Sequence, residues 1–154
     1  MRRLAVLLVG IAVFAAGCGG GGSDRLSKAE FEQHMKDDGQ AVQKAVSKIS
    51  AGQTSLPDLA DKVHGAEIAV QGAADDLDGV KPPQDAEQPT KTIVRALRAI
   101  DEQLKKLEQA AKDNNPVAAQ SAASAIQHSP EVAAAQKAAN ELKRKGYEIG
   151  VLGT

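Results

Sequence analysis

The stretch LPDLADKVHGAEIAVQGAADDL, residues 56–77, repeats small and aliphatic side chains in alternating steps of three and four. This spacing places them on one face of a helix and is typical of a seam that packs against another helix. Ser55 is the predicted N-cap, Pro57 fits the first turn, and Gly79 followed by Pro82-Pro83 predicts the helix end. The seam residues are Leu56, Leu59, Val63, Ala66, Val70, Ala73 and Leu77.

A second seam of the same kind predicts a helix over roughly 86–113. Pro89 leaves its start open, because the helix could begin there or nearer Asp85 and bend. Three acid-before-base pairs, each four residues apart, predict ion pairs on a solvated outer face. The seam residues are Ile93, Leu97, Ile100, Leu104, Leu107 and Ala111, and the pairs are Asp101 with Lys105, Glu102 with Lys106, and Glu108 with Lys112.

A capping box, Ser27-Lys28-Ala29-Glu30, predicts the start of an earlier helix over 28–50. In this motif the serine side chain and the glutamate each bond the other's backbone N–H. Leu26 and Phe31 stand in the two positions of a hydrophobic staple, which fixes the direction in which the chain enters the helix.

An alanine-rich segment predicts a fourth helix that starts at Asn115-Pro116 and ends before Gly146. Within it, Ser129 could cap a fresh helix at Pro130, or the proline could kink a continuous one. A kinked or split fourth helix is the favoured interpretation.

Four amphipathic helices joined by short turns can bury their apolar faces only against one another. The expected fold is therefore all-α: an up-down-up-down four-helix bundle over residues 27–147, with the fourth helix kinked or split near Pro130. Residues 148–154 form an apolar tail, parts of which are expected to fold back on the bundle. Gly65 and Gly72 flank the first seam, either as tolerated weak points or as places where a neighbouring helix approaches closely, and close approach is favoured.

The first residues have the three-part layout of a secretory signal. Arg2 and Arg3 are followed by an apolar run over 4–16, which is shorter than the roughly 20 residues that a membrane span needs. Ala15-Ala16-Gly17-Cys18 resembles the lipobox of bacterial prolipoproteins, in which the cysteine becomes the lipidated first residue. The alternative is an ordinary signal peptide that leaves an unmodified cysteine. We expect 1–17 to be a removed signal peptide and 18–26 a lipidated cysteine with a Gly/Ser tether.

Beyond the lipobox, the chain resembles the small helical lipoproteins found in actinobacteria. The resemblance rests on Leu-Ser-Lys-Ala-Glu-Phe at 26–31 after the tether, on Pro82-Pro83, and on the segment 138–146. It implies an extracytoplasmic address and a helical fold, and it carries over no catalytic residue. Relatives often have further cysteines in the helical part, whereas Cys18 is the only cysteine here.

Charge and composition limit the classes of function that the sequence supports. Without Arg2 and Arg3 the 19 basic side chains become 17, against 20 acidic ones, which argues against nucleic acid as a partner. Phe31 and Tyr147 are too few aromatic residues for a stacking platform. Nucleophile-elbow, phosphate-loop, Cys-x-x-Cys and zinc-protease signatures are absent from the sequence. These features favour a non-enzymatic protein.

The sequence predicts a lipid-anchored helical module on the extracytoplasmic face of the cell membrane. Its expected role is protein interaction or envelope structure, and its expected partners are the membrane and an envelope protein. The covalent lipid on Cys18 is the only cofactor expected. Lys143, Arg144 and Lys145 suit the negative end of the last helix and are also candidates for contact with anionic lipid.

The alternative function is a binding module for a metal ion or small solute. Each histidine has an acid three residues on, so each pair shares a helix face and could ligate a metal, but surface ion pairs are the favoured explanation of all three pairs. The acidic group at 75–78 does not fit a calcium loop, because the alignment puts Ala74 at the first ligand position. No metal site is therefore predicted, and the residues that would be candidate ligands under the alternative are His64, Glu67, Asp76 and Asp78.

Overall fold

The computed structural model of the protein describes residues 25–50 and 55–150. Within these ranges the regular structure is entirely helical, so the prediction of an all-α fold is confirmed. A short 3-10 turn at Gln84–Ala86 leads into the third helix, which therefore begins before Pro89. The helices are α1 (Lys28–Ser50), α2 (Leu56–Gly79), α3 (Glu87–Lys112), α4 (Pro116–Gln127) and α5 (Pro130–Arg144).

The predicted N-caps are all present. The Ser27 N–H donates to Glu30 Oε2 over 2.8 Å, and the Glu30 N–H donates to Ser27 Oγ over 3.3 Å, which completes the capping box. Side-chain oxygens of Ser55, Asn115 and Ser129 accept backbone N–H groups at the starts of α2, α4 and α5. Because Ser129 caps a fresh helix, the predicted fourth helix is split into α4 and α5 by a bend at 128–129.

The core is built on the contact between α2 and α3. Both predicted seams face inward, and all their residues are buried except the half-buried Leu56 and Ile100. The helix α1 packs on α2, while α4 and α5 pack on α3. The first half of α1 is covered at Phe31 and Met35, whereas Val46 in its second half is exposed.

One end of the molecule is closed by residues 145–149, here called the closing segment. It follows α5 through Gly146, whose φ of 83° is favourable only for glycine and few other residues. The Tyr147 hydroxyl donates to Asp85 Oδ1 over 2.6 Å, and the Glu148 N–H donates to Glu32 Oε1 over 3.0 Å. Tyr147 and Ile149 are buried. The closing segment therefore joins α1, α5 and the turn before α3.

The beginning of the described chain lies at the same end. The Leu26 N–H donates to the Lys81 carbonyl over 2.8 Å, and an Arg25 nitrogen lies 2.8 Å from Glu87 Oε2. These contacts fix the entry to α1 against the connection between α2 and α3. None of the described helices combines the length and apolar character needed to cross a membrane.

Two predictions about surfaces are wrong. A Cβ atom added at Gly65 or Gly72 would meet nothing within 4 Å, so neither glycine marks a close helix approach. Asp101 and Glu108 do not lie on a solvated outer face, because Asp101 is 7% exposed and the Glu108 side chain 13% exposed. Both sit at the boundary between α2 and α3, while still forming the predicted ion pairs with Lys105 and Lys112.

Candidate functional site

Three ionisable side chains meet where α2 and α3 face each other: His64, Glu67 and Glu108, here called the histidine–carboxylate cluster. One possible ligand atom from each lies within 4.8 Å of the others. His64 Nδ1 is 3.2 Å from Glu108 Oε1, and a carboxylate oxygen of Glu67 lies within 4.8 Å of one from Glu108. Of the described residues, this is the group whose geometry suits a metal ion.

The helices bring these residues together by simple geometry. His64 and Glu67 are three residues apart and so share a face of α2, beside the buried seam rather than on it. Glu108 reaches them from α3. His64 in the first half of α2 contacts Glu108 late in α3, whereas Asp78 at the end of α2 binds Arg98 early in α3 over 2.7 Å. The two helices therefore run in opposite directions at this boundary.

The cluster is electrostatically unbalanced. A hydrogen bond from Lys112, whose Nζ lies 2.8 Å from Glu108 Oε1, lowers the pKa of Glu108. Burial raises the pKa of Glu67, and the nearby charges of Glu108 and Asp101 raise it further. Burial and the neighbouring negative charges therefore both disfavour the ionised form of Glu67.

The site also contains carboxylate oxygens without partners. Glu67 Oε2 and Asp101 Oδ1 are buried and have no hydrogen-bond partner among the described residues. The other Asp101 oxygen lies 2.7 Å from Lys105 Nζ. A buried oxygen that lacks a donor is destabilising, and a bound cation is one of the ways to satisfy it.

Comparison with known proteins adds nothing to this geometry. No protein-family model, curated protein or solved structure matches the chain. The chemistry of the cluster therefore has to be inferred from its own atoms.

The other candidate ligands, Asp76 and Asp78, lie elsewhere. They follow Glu67 by roughly 13 and 16 Å along the axis of α2, at about 1.5 Å per residue. Asp78 is held by Arg98, and the charge of Asp76 acts on Asp38 of α1. Of the four candidate ligands, the structure thus brings together only His64 and Glu67, and it adds Glu108.

In each of the other two histidine–acid pairs, the described contacts of the two side chains are with other residues. Asp37 accepts hydrogen bonds from Gln33 instead of His34. His128 Nδ1 lies 2.8 Å from the Ser124 carbonyl oxygen, and Glu131 accepts the Ser129 hydroxyl. The three-residue spacing is the same in all three pairs and therefore does not distinguish the pair at His64. What distinguishes it is Glu108, which comes from another helix.

Asp38 is an ionisable group that the sequence did not indicate. It is 9% exposed, and its Oδ2 has no hydrogen-bond partner among the described residues. Burial raises the pKa of Asp38 to about 6, and the charge of Asp76 adds to the effect. This carboxyl group lies where α1 meets α2 and is a source of instability at neutral pH.

The predicted anchor and the basic residues stand apart from the cluster. Cys18 lies outside the described residues. Lys145 donates to the Asp85 carbonyl over 2.6 Å and pairs with Glu141 over 2.7 Å, so it helps to hold the closing segment. Lys143 and Arg144 are exposed at the end of α5.

Proposed function

We propose that the protein is a lipid-anchored helical module on the extracytoplasmic face of the cell membrane, acting through protein contact rather than catalysis. The observation that carries the proposal is the sequence Ala15-Ala16-Gly17-Cys18, which follows a positively charged start and a short apolar run. Two or three acyl chains, at about 0.8 kcal/mol per buried CH₂, give stable anchoring.

We propose further that the helices form an up-down-up-down bundle, with α4 and α5 serving together as the fourth member. The opposite directions of α2 and α3 support this arrangement. The meeting of Arg25, Leu26 and the closing segment at one end supports it as well. The tether then joins the bundle at this closed end, and a Gly/Ser-rich stretch of about seven residues has a root-mean-square reach of roughly 15 Å.

Such a tether holds the closed end near the lipid headgroups. The end of α5 lies there too, because Lys145 and Tyr147 both bond Asp85. Lys143, Arg144 and Lys145 are therefore proposed as a secondary contact with anionic lipid, strengthened by the short distance to the membrane.

Protein contact would use apolar side chains that the bundle does not cover. The large aliphatic side chains exposed in the described part of the chain are Val46, Ile68 and Val117, the last with 77% of its surface accessible. Val46 lies late in α1 and Val117 at the start of α4. In the proposed bundle both face away from the tether, toward other envelope proteins.

Anchoring is tested by the intact mass of the protein recovered from membranes, with Cys18→Ser as the control. We expect a chain that begins at Cys18 and carries lipid mass, and a variant that lacks this mass. An unmodified Cys18 would overturn the proposal and leave a secreted bundle with a free thiol.

Contact is tested by placing a photo-crosslinking residue at Val117 in the anchored protein within cells. The matched control is the same residue at Gln120, an exposed polar position one turn along α4. We expect a discrete adduct from position 117 that disappears in the Cys18→Ser background. Equal adducts from both positions would contradict a specific surface.

The binding of a metal ion remains the second candidate function. The specific observation in its favour is the histidine–carboxylate cluster.

A further inference from the structure

The histidine–carboxylate cluster differs from an ordinary surface ion pair in three ways. It combines a histidine nitrogen with two carboxylates, whereas an ion pair needs only one acid and one base. Its two carboxylates come from different helices and bring oxygens within 4.8 Å of each other. Glu67 Oε2 is also buried without a partner among the described residues. These features leave a histidine nitrogen and two carboxylates close together, with Lys112 as the cation bonded to Glu108 and no donor among the described residues for Glu67 Oε2.

We propose that His64, Glu67 and Glu108 bind a single divalent transition-metal ion, with Zn²⁺ as the representative, and that the ion joins α2 to α3. One nitrogen and two carboxylate oxygens supply three ligands, which leaves the fourth position of a tetrahedral site to water. The proposal rests on α2 and α3 alone and holds whether or not Cys18 carries lipid.

The separations suit such an ion after small side-chain movements. Zinc binds histidine nitrogen and carboxylate oxygen at about 2.0–2.2 Å, so neighbouring ligand atoms in a tetrahedral site are about 3.4 Å apart. His64 Nδ1 and Glu108 Oε1 already lie 3.2 Å apart, and the widest separation in the cluster is within 4.8 Å. Rotation of the exposed His64 ring and of the long glutamate side chains can close the remaining gap.

The ligand types also decide which ion fits. Calcium prefers six to eight oxygen ligands, and magnesium keeps most of its water, so neither gains from a histidine nitrogen. Imidazole with carboxylate suits zinc and its transition-metal neighbours. A divalent cation would also offset the negative charge that the two carboxylates bring together between the helices.

Lys112 modulates the site from its edge. Its ammonium group lies 2.8 Å from Glu108 Oε1, the oxygen that faces His64, and so competes directly with a metal ion. Removing this charge should strengthen metal binding by roughly threefold to tenfold through the loss of local repulsion. A variant that merely damaged the fold would have the opposite effect.

The test is calorimetric titration of the full-length chain in detergent with Zn²⁺, using Cys18→Ser throughout so that no thiol contributes. We expect one equivalent to bind with micromolar affinity. His64→Ala, Glu67→Gln and Glu108→Gln should each weaken binding at least tenfold. His34→Ala is the matched control, because His34 is also exposed and has an acid three residues on. It should leave the affinity unchanged, and Lys112→Gln should raise it.

Thermal unfolding without metal shows whether each variant is still folded. Glu67→Gln removes a carboxylate whose Oε2 is buried without a partner among the described residues, so we expect this variant to be at least as stable as the parent while losing zinc affinity. Several results would overturn the proposal: no zinc binding by the parent, undiminished binding in any ligand variant, no gain with Lys112→Gln, or tighter binding of Ca²⁺ than of Zn²⁺.

Discussion

Tyr147 packs edge-on against Phe31, with ring centroids 5.5 Å apart and ring planes at 89°. This arrangement places the positive edge of one ring against the negative face of the other. Lys28 Nζ lies 5.3 Å from the centre of the Tyr147 ring, where its charge is also attracted to the ring. The contact joins the first helix to the closing segment across almost the whole length of the described chain.

The environment of Tyr147 predicts an unusual titration. Burial raises the pKa of Tyr147 to about 12, and the hydrogen bond to Asp85 adds to the shift. The contribution of the neutral phenol to stability is therefore fully present below pH 10 and is lost as the pH rises through 12. The chain has one tyrosine and no tryptophan, so ultraviolet absorbance follows this group alone. We expect the titration of the Tyr147 phenol to have its midpoint near pH 12 in the native protein and near pH 10 in denaturant. Equal midpoints would contradict the burial of Tyr147 against Asp85.

Asp38 predicts a stabilising substitution. The pKa of Asp38 is raised from 3.8 to about 6, so its ionised form destabilises the fold. The penalty is absent below pH 3.8, develops between the two values and is complete above pH 6, where it approaches roughly 3 kcal/mol. We expect Asp38→Asn to raise the thermal midpoint by several degrees at pH 7.5 and to have little effect at pH 4.

The neighbouring Asp37 provides the control for this experiment. Asp37 is exposed and accepts hydrogen bonds from Gln33. Asp37→Asn should give only a small fraction of the gain. Equal gains from both variants would show that net charge, rather than the burial of Asp38, is responsible.

Gly65 and Gly72 predict a second route to higher stability. Both lie inside α2, and an added Cβ would meet nothing within 4 Å. Replacing either with alanine should increase the free energy of unfolding by about 0.5–1 kcal/mol, because alanine restricts the unfolded chain and favours the helix. Chemical denaturation measures the change.

Gly146→Ala is the contrasting substitution, since its φ of 83° is strained for any residue with a Cβ. It should lower the free energy of unfolding by about 1–2 kcal/mol. Loss of stability in the α2 variants would indicate that these glycines serve a contact after all.

The basic end of α5 predicts salt-sensitive binding to anionic vesicles. For the unlipidated mature chain carrying Cys18→Ser, Arg144→Gln should weaken binding about fivefold at low salt, at about 1 kcal/mol for each basic residue. Lys145→Gln should act more on stability, because Lys145 bonds the Asp85 carbonyl and Glu141. Vesicle co-sedimentation at two salt concentrations measures both variants. Binding that is insensitive to Arg144 or to salt would exclude this contact.

The features that were correctly predicted from the sequence are local ones. The capping box at Ser27 and Glu30, and the caps at Ser55 and Ser129, depend on residues within one turn of each other, so their spacing determines their hydrogen bonds. The seams follow from the helical repeat in the same way. The split at Pro130 was one of two alternatives, and the hydrogen bonds of Ser129 decide it.

The histidine–carboxylate cluster depends instead on the register between two helices. The sequence places Glu108 with Lys112 and Asp101 with Lys105, but it does not reveal which flank of α3 turns toward α2. A seam identifies the middle of the buried face of a helix. Whether the residues beside that face are buried depends on the rotation and offset of the neighbouring helix. For that reason His64 and Glu67 could be named beforehand, whereas Glu108 was assigned to solvent.

The same reasoning explains why the sequence did not indicate Asp38 and why the expectation of close approach at Gly65 and Gly72 is wrong. An aspartate in a polar stretch of α1 carries no sign of burial until α2 is placed beside it. A glycine in a helix permits close approach but does not require it, and here both glycines face open space. Packing partners, rather than propensity, decide these positions.

The closing segment also bears on the order in which the chain can fold. Its contacts with α1 join pairs of residues that are separated by 112 and by 116 positions in the sequence. The helices of the pairs α1–α2 and α2–α3, in contrast, are neighbours along the chain. Closing so long a loop costs little more than closing a short one, about 0.6 kcal/mol for each doubling of its length. Because the ribosome releases the N-terminus first, Phe31 emerges long before Tyr147, so this part of the core can be completed only after all five described helices have been made.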